Sequence, residues 1–80
     1  MKKIDDMTEC QLMKRNFVRK HLRGIMKALD SGIYSLQYKV SDDEDEYVII
    51  TWKNKCRKSV NVTTDNLFAL TRDVIGSLCI

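Results

Sequence analysis

Proline is absent from this 80-residue chain, glycine occurs three times, and histidine and tryptophan once each. Without proline the chain reads as regular elements joined by short turns. Gly24, Gly32 and Gly76 are isolated, which excludes a glycine-rich phosphate loop. The three cysteines, Cys10, Cys56 and Cys79, are odd in number and lack C-x-x-C spacing, so neither a disulfide framework nor a zinc site is expected. They read as reduced, partly buried thiols of a cytosolic protein. No apolar run exceeds the length of Tyr47 to Ile50, far short of a membrane span, and no apolar stretch follows the first lysines as in a signal peptide. The lone His21 sits among basic neighbours with no acidic partner near in sequence, and reads as the edge of a core. These absences predict a cytoplasmic, non-enzymatic protein without cofactor or metal.

What is present suffices for one globular domain over 1–80. Apolar residues make up 44% of the chain and charged residues 31%. A chain of this length buries only about 60–65% of its unfolded surface, so the core must be economical. Thr8-Glu9-Cys10-Gln11 fits a capping box. Beyond it Phe17, Val18, His21, Leu22, Ile25, Met26 and Leu29 fall within about half of a helical circumference. Asp30-Ser31-Gly32 ends this first helix, with Gly32 suited to a left-handed C-terminal position. Tyr34, Leu36, Tyr38 and Val40 then alternate with polar residues, as in a half-buried strand. Tyr47 to Trp52 is apolar on both faces, like a central strand, with Val48, Ile50 and Trp52 on one side. Asn54-Lys55 suits a tight turn, because asparagine tolerates positive φ. Val60 and Val62 mark a third strand. A second helix follows, capped by Thr63 or Thr64, with Leu67, Phe68, Leu70, Val74, Ile75 and Leu78 on its apolar face. Short connections force the three strands into an antiparallel meander. The predicted fold is therefore α+β, in the order α-β-β-β-α, with both helices on one face of the sheet and Trp52 beneath them.

Charge is unevenly placed. Residues 1–30 carry eight basic and four acidic side chains, whereas residues 31–80 carry six basic and seven acidic. Arg19, Arg23 and Lys27 recur at steps of four along the first helix, with Lys20 beside them and Lys14 and Arg15 extending the charge. Like charges four apart oppose a helix slightly, so an anion on this face would relieve it. The opposite run, Asp42-Asp43-Glu44-Asp45-Glu46, forms the first hairpin connection. It lacks the alternate ligand spacing and the glycine of a calcium loop, and reads as a solvated tip, as a knob for a basic groove, or as an internal partner that lies near the basic helix and partly neutralises it. A third candidate surface is the outer sheet face, where Tyr47 and Ile49 sit among Gln37, Lys39, Thr51, Ser59 and Asn61.

The order helix, three strands, helix resembles the double-stranded RNA-binding domain. That family contacts RNA with a histidine-bearing loop and a lysine-rich second helix. Here those places hold Asp42 to Glu46 and Thr63-Thr64-Asp65-Asn66, so RNA binding in that manner is not expected. The layout is also similar to small phage-encoded anti-CRISPR proteins, and the residues carrying this likeness are Asp42 to Glu46 running into Tyr47-Val48-Ile49. The resemblance implies a phage or mobile-element inhibitor that occupies a site on a host protein or nucleoprotein, such as a Cas effector. The alternative is a small nucleic-acid-binding regulator using Arg19, Lys20, Arg23 and Lys27.

Overall fold

The computed structural model describes residues 3–78, so Cys79 lies outside the described residues. After a 3-10 turn at Ile4–Asp6, one long helix runs as α1 (Glu9–Phe17), a π-helical turn (Val18–Leu22) and α2 (Arg23–Leu29). Strands β1 (Ile33–Val40), β2 (Glu46–Trp52) and β3 (Arg57–Asn61) follow, and helix α3 (Leu67–Gly76) closes the fold. The sheet order is β1-β2-β3, antiparallel throughout. The long helix and α3 share one face of it, as two layers around a single core.

The long helix starts as its sequence demands. The Gln11 amide donates to Thr8 Oγ1 at 3.2 Å, and the Thr8 amide donates back to Gln11 Oε1 at 3.0 Å. Its interior departs from a plain α-helix. The buried positions Lys14, Val18, Leu22 and Met26 recur every four residues. Each step of four overshoots a full α-helical turn by about 40°, so three steps would carry this row some 120° around the axis. The π turn, in which the Arg23 amide reaches back to the Val18 carbonyl, widens the helix and absorbs part of the overshoot. The buried row thereby stays over the sheet. Val18, Leu22 and Met26 are fully enclosed, while His21, Ile25 and Leu29 are exposed, contrary to the wider stripe expected from a straight helix.

The helix also ends differently from expectation. Gly32 has no positive φ. Asp30 turns extended, and its Oδ1 accepts the Gly32 amide at 2.9 Å. A Cβ on Gly32 would lie 3.1 Å from that same oxygen and 3.7 Å from Trp52, so the glycine permits close approach. Trp52 is half-buried at this end of the core, where its indole N–H donates to Asp30 Oδ2 at 2.9 Å.

In the sheet, Leu36, Tyr38 and Val40 pair with Ile50, Val48 and Glu46 on the inner face. Tyr47 and Ile49 lie on the outer face opposite Lys39 and Gln37, half-buried as the strand parity implies. Tyr34 breaks the alternation. The register shifts between Ile33 and Ser35, so Ile33 takes the core position and Tyr34 turns outward. Helix α3 is capped by Asn66, whose Oδ1 accepts the Ala69 amide at 2.8 Å, rather than by Thr63 or Thr64. Thr63 instead accepts the Glu46 amide at 2.9 Å, which ties the chain after β3 to the start of β2. Leu70 and Val74 fill the core from α3, while Phe68 is 87% exposed.

Candidate functional site

The four-residue rhythm that aligns the buried row also aligns the next row round the helix. Arg15, Arg19, Arg23 and Lys27 each follow a buried residue by one position. The π turn therefore keeps the cations in a row along the helix, spaced about 6 Å apart in rise. Among the described residues none of the four makes an ion pair or a side-chain hydrogen bond.

This row faces the open edge of the sheet. β1 is an edge strand, and its backbone parity follows from the hydrogen bonds of β2. The Glu46 carbonyl accepts from Val62, and the Trp52 amide donates to the Cys56 carbonyl, so even-numbered β2 residues spend their main chain on β3. Odd-numbered ones bond β1 through Lys39, Gln37 and Ser35. The main-chain groups of Leu36 and Tyr38 consequently point off the free edge. Between that edge and Arg15, Arg19 and Arg23 lies a cleft of about 430 Å³, floored by Ser35 to Lys39. It continues at one end past Arg15, Tyr38 and Lys39 to Lys3 and Asp5. At the other end it passes Arg23, Ser35 and Gln37 to Lys27, Tyr34 and Lys53. The central and Tyr34 segments contain no acidic lining residue. Lys20 is exposed but lines none of the three segments.

The acidic run divides in two. Asp42, Asp43 and Glu44 are exposed on a loop closed by the Ser41 amide on the Asp45 carbonyl at 2.8 Å. Glu44 has a φ of 67°, and its carboxylate accepts the Gln11 side-chain amide at 3.1 Å. Asp45 is half-buried, its amide donating to Ser41 Oγ. Glu46 is not part of the tip. It is the first residue of β2, buried, and it accepts from Lys14 Nζ at 2.8 Å and from the Tyr38 hydroxyl. Lys14 donates a second bond to the Val62 carbonyl at 3.1 Å. Burial first, and the neighbouring Glu46 carboxylate second, push the Tyr38 phenol upward from its ordinary value. Of the three readings of the acidic run, the internal one thus holds for Glu46, which forms a buried clamp with Lys14 of the long helix. The signal was available in the pattern: Glu46 shares the inward parity of Val48 and Ile50, and Lys14 precedes Val18 by four.

His21 is exposed, with its ring 5.7 Å from that of Phe17. Cys10 and Cys56 are free, and both are exposed rather than partly buried as expected, Cys10 on the outer side of the first helical turn and Cys56 beside the second hairpin loop. Among the described residues no group of acidic, histidine or cysteine side chains is arranged to hold a metal, and no helix is long and apolar enough to cross a membrane. No family model matches this chain, nor does any curated protein or solved structure.

Proposed function

We propose that this chain is a non-enzymatic, cytoplasmic binding protein that regulates its target by occupying nucleic acid through the cationic groove beside β1. The observation carrying this reading is the row Arg15, Arg19, Arg23 and Lys27, held straight by the π turn, unpaired, and aimed along an open strand edge. Such a row costs the helix some stability through like-charge repulsion, and bound phosphates would repay it by releasing counterions. Fluorescence anisotropy with a labelled oligonucleotide tests it. Four neutralised phosphates give a log–log salt slope of about −3, or roughly a 60-fold loss of affinity between 50 and 200 mM salt. Reversing Arg19, Arg23 and Lys27 to Glu should abolish binding. Salt-insensitive binding, or full binding by that variant, defeats the reading.

A second reading rests on the pinned acidic tip, which holds Asp42 and Asp43 out in solvent. There the chain is an anti-CRISPR-like inhibitor from a phage or mobile element, and the tip enters a basic groove of a host protein or nucleoprotein, such as a Cas effector. Replacing Asp43, Glu44 and Asp45 with Ser separates the two readings. It should leave oligonucleotide affinity unchanged or slightly higher, yet lower the association rate with a basic protein partner.

A further inference from the structure

Tyr34 is the one residue of β1 that the register skips: Ile33 pairs with Trp52 and Ser35 with Thr51. The result is a tyrosine with 64% of its surface in solvent, at a position where simple alternation would have buried it. Bulges of this kind re-aim a side chain, and this one delivers the ring into the end segment of the groove, a cleft of about 580 Å³. Its neighbours there are Arg23, Lys27 and Lys53 on the charged walls and Gln37 on the strand. An exposed aromatic face set at the end of an unpaired cationic row is the combination that single-stranded nucleic-acid sites use, with cations following the backbone and rings stacking on bases.

We propose that the groove takes a single unpaired nucleic-acid strand and that Tyr34 is the platform on which one of its bases stacks. This rests on the nucleic-acid reading above and narrows it. In a duplex each base face is already covered by its neighbours, so Tyr34 would have nothing to stack on without unstacking a step. The cationic row also lies in the corner between a helix and a strand edge, a recess that a flexible strand can follow and a stiff rod meets only at its rim. The outward main-chain groups of Leu36 and Tyr38 supply further donors along the path.

The test measures the affinity of the full chain for an oligothymidine, for a duplex of the same length, and for a poly-glutamate peptide, all at one salt concentration. The single strand should bind at least tenfold more tightly than the duplex. Tyr34→Ala should weaken single-strand binding about five- to a hundredfold, leave the salt slope unchanged, and leave the melting temperature near that of the parent. Tyr34→Trp should bind at least as tightly as the parent. If Tyr34→Ala binds the single strand like the parent, the stacking platform is wrong. Equal affinity for duplex and single strand, with the salt slope intact, overturns the single-strand claim while the groove stands. Binding of poly-glutamate but of neither nucleic acid overturns both, and would make the open edge of β1 a dock for an acidic extended peptide.

Discussion

The two hairpin loops of the meander share one backbone and carry opposite charge. In the first, the Ser41 amide donates to the Asp45 carbonyl, the Glu44 amide donates to the Ser41 carbonyl, and Glu44 has a φ of 67°. In the second, the Trp52 amide donates to the Cys56 carbonyl, the Lys55 amide donates to the Trp52 carbonyl, and Lys55 has a φ of 72°. Each is a three-residue loop whose last residue is left-handed. One exposes Asp42-Asp43-Glu44 and the other Lys53-Asn54-Lys55. The geometry is thus indifferent to the charge it displays, and glycine, which fits the left-handed position at least cost, is used in neither. The ends differ more deeply in how the long helix is fastened to β2. Beside the acidic loop the fastening is a buried ion pair, Lys14 to Glu46. Beside the basic loop it is an indole-to-carboxylate bond, Trp52 to Asp30, at the rim.

The largest effect should come from breaking the buried fastening. Lys14→Met leaves the Glu46 carboxylate buried against the Tyr38 hydroxyl without a cation, and should cost about 3–5 kcal/mol by urea denaturation. A loss below 1 kcal/mol would mean the clamp opens to water at little expense.

Leu22→Ala probes the core both ends share. Leu22 is fully enclosed beneath the π turn, and its truncation should cost about 2–5 kcal/mol.

The fastening at the opposite end should respond to pH. The Trp52 indole N–H first, and the Gly32 amide second, hold the Asp30 carboxyl below its ordinary value of 3.8. A carboxyl whose folded value lies below its unfolded one adds stability above the unfolded value and loses it as pH falls through the folded one. The penalty of Trp52→Phe should therefore be full at neutral pH and shrink below about pH 4, read as the difference in melting temperature from the parent. A penalty that grows in acid would refute the assignment.

The smallest effects lie at the loop tips. Lys55→Gly should stabilise the chain by up to about 1 kcal/mol, by relieving the left-handed position. Glu44→Gly should gain less, because it also discards the contact with Gln11. Exchanging Asp42-Asp43-Glu44 for Lys-Asn-Lys sharpens the comparison directly, since a shared backbone should accept the swap with only a small shift in melting temperature.

Much of the fold was legible in the residues themselves. The Thr8–Gln11 capping box joins positions three apart, and the parity of Val48 and Ile50 records the pleat of one strand. Short connections then left the meander as the simple way to join three strands. Other assignments missed by small displacements whose causes are contacts distant in sequence. The second helix is capped by Asn66 because Thr63 is spent on the Glu46 amide, a contact 17 residues away in sequence. Trp52 was expected beneath the helices and is half-buried, because Asp30 holds its indole nitrogen at the rim. Of the candidate site residues, Arg19, Arg23 and Lys27 were legible from their spacing, whereas the facing strand edge was not.

Sequence alone determined the order of elements, the start of the first helix and the segregation of charge, because periodicity, capping and turn preference act between near neighbours. Tertiary structure decided that Lys14 and Glu46 neutralise each other inside, that a π turn keeps the cationic row straight, and that a bulge turns Tyr34 out beside it. Each of these depends on how a helix with a four-residue repeat meets a pleated sheet, the clamp alone joining residues 32 positions apart, and a 3.6-residue helix cannot keep that repeat facing one surface without a wider turn.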